Sequence, residues 1–207
     1  KLFFLKSKNN LIKFTIFSSV VPNIYKIIKS FLTYKVKIKC KELKDFKLDK
    51  IINIKVSKNQ IGSDRLANAI GVSNKINNFI IVDFGTATTF DVIIKNNYLG
   101  GIIAPGVNLS LNTLITKASL IPKIKLKSIN SILGKNTKNA VRSGFYWGYV
   151  GLIYNIVNLI KKETKKSFKL IITGGFSHLF AKSIYKKVII SKDITINGLI
   201  KATSLIK

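Results

Sequence analysis

The chain has 207 residues, 36 Lys plus Arg and 8 Asp plus Glu, so its formal net charge is +28, yet 47% of its residues are hydrophobic. That apolar content excludes a disordered basic tail, and the length allows one large or two small domains with a buried core. The single Cys, Cys40, excludes a disulfide framework and a thiolate zinc site and suits a reducing cytoplasm, while the single His, His178, excludes multi-His metal sites.

Phe14–Ser18 reads as a buried strand. A helix follows from about Pro22 to Lys35, with Pro22 in its first turn and Ile24, Ile27, Ile28, Phe31 and Leu32 at helical spacing. Lys35–Lys39 (KVKIK) alternates and suits a strand, Lys41–Lys50 a charged loop or short helix, and Gly62–Arg65 the start of a further helix. Polar Asn74–Asn78 marks a boundary that divides the chain into 1–76 and 77–207. Beyond it, Phe79–Asp83, Phe90–Ile94 and a strand from Tyr98 form a β-meander. Gly85–Thr89 makes one of its turns, and Asn96-Asn97, a pair that tolerates positive φ, makes the other.

A helix is predicted from about Val107 to Ala118, and a long one, capped by Thr137, reaches about Glu163. Gly144, Gly148 and Gly151 give that long helix a small-residue strip for close packing. Lys169–Thr173 is a strand, a helix lies around Phe176–Lys186, and Val188–Ile190 and a helix from about Thr195 end the chain. Helix and strand alternating after a meander indicate an α/β fold.

No run of about 18 uncharged apolar residues exists, so no spanning helix is expected. Phe14–Val21 lacks a cleavage pattern and reads as a buried strand rather than a signal core. Of the basic residues 34 are Lys and only Arg65 and Arg142 are Arg, scattered along a chain rich in Ile and Asn. Such a bias follows from AT-rich codons, whereas nucleic-acid binders cluster their charge and favour Arg. Met is absent and the chain begins at Lys1, so a fragment or processed product is expected.

Asp83-Phe-Gly-Thr-Ala-Thr-Thr89 carries the strongest chemical signal. A carboxylate at a strand end, followed by Gly and hydroxyl residues, suits phosphate and a hard cation: Gly admits the phosphate to the backbone, and N–H and hydroxyl groups donate to it. An ordinary hairpin with a satisfied Asp is the plainer alternative. In Gly62-Ser-Asp-Arg65 a carboxylate sits at a helix start, beside a scarce Arg whose planar fork suits a carboxylate ligand. Its plainer reading is a helix cap with a surface Arg. Thr173-Gly174-Gly175 after a strand leaves room for a flat ligand, although such connectors are common. Gly134-Lys-Asn-Thr137 is not a phosphate-binding P-loop, since Asn136 and Ile129 stand where Ser or Thr and Gly are required. His178 reads as a helix-surface or packing residue.

Taken together, GSDR (62–65), VDFGTATTFDV (82–92), YLGGIIAPGV (98–107), GKNT (134–137), SGFYWGYVG (143–151) and TGG (173–175), with SSVVP (18–22) upstream, resemble the type III pantothenate kinases. The resemblance implies two ribonuclease H-like domains of the acetate and sugar kinase/Hsp70/actin superfamily, with ATP in the cleft between them. Residues 1–76 would be the remnant of the first domain and 77–207 the second. The implied reaction is ATP-dependent phosphorylation of pantothenate, the first step of coenzyme A synthesis.

On this resemblance Gly62, Ser63, Asp64, Arg65 and Thr137 contact pantothenate, with Asp64 the general base on its hydroxyl. Asp83 holds a monovalent cation (potassium or ammonium), Gly85 and Thr86 bind ATP phosphates, and Thr173, Gly174 and Gly175 lie by the adenosine. It also implies magnesium with ATP, a cytoplasmic homodimer, and no nucleic-acid or membrane partner. The family's opening Asp-x-Gly-Asn-Thr loop is absent, and Lys55 and Val56 stand where an aromatic pantothenate contact is usual. An N-terminally truncated chain, inactive or nearly so alone, is therefore expected. A non-catalytic regulatory homologue and, further off, a basic nucleic-acid-binding protein are the competing readings.

Overall fold

The computed structural model describes residues 12, 14–185 and 187–205. In chain order its elements are β1 (Phe14–Phe17), α1 (Pro22–Ser30), β2 (Lys39–Glu42), β3 (Asn53–Ile54), α2 (Ser63–Val72), β4 (Asn78–Phe84), β5 (Ala87–Ile94) and β6 (Asn97–Pro105). They continue with α3 (Val107–Lys117), α4 (Thr137–Thr164), β7 (Lys169–Gly174), α5 (Ser177–Ile184), β8 (Val188–Ile190) and α6 (Ile194–Thr203). Contacts group them into two units. Of the described residues, unit 1 holds 12, 14–74, 96–98 and 193–205, and unit 2 holds 75–95, 99–185 and 187–192.

In unit 1, β1 and β2 pair in parallel, with Phe14 opposite Lys39 and Phe17 opposite Glu42. Tyr25 and Ile28 of α1 and Leu32 just beyond it pack on Phe17 and Ile38. The strand predicted over Lys35–Lys39 lies later in the chain. Phe31–Lys35 continues α1 as a π-helical turn, and Lys37 takes φ 59°. Ile38 N–H bonds back to Leu32 O at 2.9 Å, so the chain extends only from Lys39. β3 pairs in parallel with the start of β6, Asn53 with Asn97 and Ile54 with Tyr98.

The last helix, α6, packs along α2 at very close range. A Cβ on Gly198 would fall 1.8 Å from Ala67 O, and one on Gly71 would fall 2.6 Å from Ile194 O. Thr195 Oγ1 donates to the buried Asn68 Oδ1 at 2.6 Å. The Lys201 ammonium donates to Ser73 O and to Ser73 Oγ, beside the C-terminal end of α2, where a cation is favoured. Partial burial lowers the pKa of that amine below the usual lysine value.

Unit 2 is built on a sheet in the order β6-β5-β4-β7-β8. β4 runs antiparallel to β5 and parallel to β7, and β7 parallel to β8. Asp83 lies opposite Thr89 on one side and Thr173 on the other. The first turn of the meander is tighter than predicted, because β5 already begins at Ala87. In the second turn Lys95, not Asn96 or Asn97, takes the positive φ of 55°.

Ile80, Val82 and Phe84 alternate along β4 and face α4 and α5. Phe180 of α5 stacks on Phe84 at 5.1 Å and on Tyr146 of α4 at 5.6 Å. Tyr146, Tyr149, Ile153, Val157 and Ile160 recur at three- and four-residue spacing and give α4 its buried stripe. The side chain that caps α4 is Asn136, which accepts the Asn139 N–H at 3.0 Å, so Thr137 is the first helical residue rather than the cap. Gly144, Gly148 and Gly151 meet nothing within 4 Å, so the predicted small-residue strip is an open side of α4. Among the described residues no helix is long and apolar enough to cross a membrane.

Candidate active site

In unit 1 the Gly62–Arg65 stretch forms the head of α2. Asp64 is half-buried in the first turn, where the helix dipole favours a carboxylate, and its Oδ1 accepts the Arg65 N–H at 2.8 Å. A Cβ on Gly62 would fall 2.5 Å from that same oxygen and 3.6 Å from Val20 Cγ1. The carboxylate thus folds back over Gly62, which also lies close to Val20. Ser63 is buried, and its hydroxyl donates to Glu42, a residue that sequence reasoning passed over inside a charged loop.

In unit 2 the ATP-site candidates converge at one end of the sheet. Gly85 and Thr86 form the exposed turn between β4 and β5, closed by Gly85 N–H to Ala87 O at 3.1 Å. Beneath it lies Gly106, where a Cβ would fall 1.9 Å from Thr86 O. Gly106 is also the residue before α3, so the turn rests on a helix N-terminus, an arrangement that favours an anion. Nothing about Gly106 in the sequence marked it as part of this site.

Asp83 and Thr173 pair in register, and the next pair is Phe84 with Gly174. Gly174 has φ +84°, and a Cβ there would fall 2.5 Å from Phe84 O and 2.7 Å from Asp83 Oδ1. Gly175 donates to Phe84 O at 3.1 Å and has open space around its Cα. Ser177 Oγ holds Gly174 O at 2.9 Å. Thr137 stands apart from this cluster, exposed at the head of α4, with Gly134 packed on that helix's first turn.

The donor set suits a hard cation. Thr89 lies across from Asp83, so the two side chains share a face of the sheet. The Thr89 hydroxyl oxygen is buried and has no hydrogen-bond partner among the described residues. A carboxylate and an unpartnered hydroxyl on one face offer the oxygen ligands such an ion prefers.

Residues 3–159 match the family model described as type III pantothenate kinase. A type III pantothenate kinase of Pelagibacter ubique (strain HTCC1062) is 64% identical over 203 residues, which cover 98% of this chain and 82% of that protein. One from Finegoldia magna is 39% identical over 201 residues, covering 93% of this chain and 75% of its own. The chain belongs to the type III pantothenate kinase family. The family's reaction is ATP-dependent phosphorylation of pantothenate, at the entry to coenzyme A synthesis. A solved Baf family protein from Campylobacter jejuni shares the fold, with a TM-score of 0.63, 20% identity and coverage of 91% of this chain and 81% of its own. The expected mixed α/β fold is the one observed.

Proposed function

We propose that this chain phosphorylates the primary hydroxyl of pantothenate from ATP, with Asp64 as general base and the Asp83–Thr86 turn as the phosphate and cation site. The observation that carries this reading is the Gly85–Thr86 turn, which rests on the Gly106 backbone with Asp83 at its root. Phosphoryl transfer asks little covalent work of the protein, so positioning and charge neutralisation dominate. Gly85 admits phosphate close to the backbone, and Thr86 offers its N–H and hydroxyl to the phosphate oxygens. Asp83, with Thr89 beside it, would hold a monovalent cation, which supplies positive charge near the phosphates. Magnesium accompanies the nucleotide.

Asp64 takes the proton of the acceptor hydroxyl as the new O–P bond forms and the bond from the γ-phosphorus to the β–γ bridging oxygen breaks, with ADP as the leaving group. Arg65 pairs with the pantothenate carboxylate through its planar fork, and Thr137 adds a hydroxyl contact. Thr173, Gly174 and Gly175 leave backbone room for the adenosine. A cytoplasmic homodimer completes the reading. Its support is the open side of α4, where a groove of about 370 Å³ lined by Leu114, Val141, Phe145 and Leu152 runs beside Gly144 and Gly148.

The test is ATP-dependent phosphorylation of labelled pantothenate by the full-length protein. Asp64→Asn should lower kcat by about 10²–10⁴-fold, the usual worth of a general base, with little change in the KM for ATP. Wild-type turnover by that variant would remove Asp64 from the role.

A further inference from the structure

Glu42 is the last residue of β2 and opens the turn that follows it. Its Oε2 accepts the Lys44 N–H at 2.7 Å, and its own N–H donates to Asp45 Oδ2 at 3.1 Å. The other oxygen, Oε1, accepts the hydroxyl of Ser63. Ser63 is only 1% exposed and is the first residue of α2. Gly62, immediately before it, has no side chain with which to cap the helix. The head of α2 is therefore tied to the β2 turn through a single carboxylate, 21 residues back in sequence.

We propose that Glu42 is a positioning residue for the phosphoryl-acceptor site. It fixes Ser63, and through Ser63 the backbone that aims Asp64. The inference rests on the reading of Asp64 as the base. Both carboxylate oxygens are committed, one within its own turn and one to α2, so the side chain acts as a bracket with little rotational freedom. A carboxylate near the head of α2 also adds favourable charge there. A base misaligned by about 1 Å can cost about a hundredfold in rate, so a bracket one residue from Asp64 acts on kcat.

The experiment measures steady-state kinetics on the full-length protein for Glu42→Ala, Glu42→Gln, Ser63→Ala and the Glu42→Ala/Ser63→Ala pair, with Asp64→Asn alongside. Glu42→Ala and Ser63→Ala should each lower kcat about 10–100-fold, with the KM for ATP within about twofold of wild type. Glu42→Gln should keep most of the activity, since its amide can still donate to Ser63 Oγ while its carbonyl accepts from Lys44. The double variant should be no worse than the worse single one, because both remove one interaction. Unchanged kcat in Ser63→Ala, or losses that multiply in the pair, overturns the proposal. If Glu42→Ala does not fold, Ser63→Ala and Glu42→Gln decide the matter. An inactive Asp64→Asn beside a fully active Ser63→Ala refutes only the positioning role, whereas an active Asp64→Asn refutes the base itself.

Discussion

Gly174 shows how little room for a side chain the proposed nucleotide end of unit 2 allows. Its φ of +84° is a region that L side chains rarely adopt, and an added Cβ would press on both the Phe84 carbonyl and the Asp83 carboxylate. Gly174→Ala should therefore cost about 1–3 kcal/mol of stability, visible as a lower urea midpoint. It should also raise the KM for ATP, because the carboxylate that must yield is the proposed cation ligand. An unchanged midpoint would show that the backbone relaxes freely there. Motifs of this kind were legible in the sequence because their residues are contiguous, as in GSDR, DFGT and TGG. Glu42 was not, since its meaning lies in a hydrogen bond to a residue 21 positions away. Gly106 was hidden for the same reason: the Thr86 carbonyl that demands its missing side chain belongs to another element.

Among the elements, α2 and α6 depend on each other most visibly. Gly198 lies so close to Ala67 O that any side chain must push the helices apart. Gly198→Ala should destabilise the protein by about 1–3 kcal/mol, the usual range for overpacking. It should also lower kcat, because Asp64, the proposed base, lies on α2 only one turn from Ala67. A chemical-denaturation curve and a rate measurement on the same sample check both, and a variant with wild-type stability and rate would contradict the account. Strands written as short apolar runs were legible, among them β4 and β7, and so was the extent of α4. The β2 strand was misplaced because alternation in KVKIK cannot reveal that Ile38 N–H bonds back to Leu32 O. The return of α6 to α2 left no local trace at all, because it is written only in which small residues meet.

For the whole molecule the net charge of +28 sets a background of self-repulsion. Two such chains repel as they meet, so the proposed dimer must rest on apolar contact along the open side of α4. Salt screens the repulsion, with a Debye length of about 30 Å at 0.01 M and about 10 Å at 0.1 M. Sedimentation should accordingly show a larger dimer fraction at about 0.1 M salt than at about 0.01 M. Gly148→Leu, which would fill the open side of α4, should reduce it at both. A monomer at every salt concentration would remove the homodimer.

The hydrogen bond from Lys201 to Ser73 joins residues 128 apart. During synthesis α2 is made before the stretch between them, and the helix that covers it only after that stretch. The stretch between them holds the whole of unit 2. Unit 2 can thus fold while the chain is still growing, whereas α2 waits with its Ala67 and Gly71 surface uncovered. The helix proposed to carry the base is therefore completed only after α6 is made, so the nascent chain can hold a folded unit with the proposed phosphate turn before the proposed base is held in place.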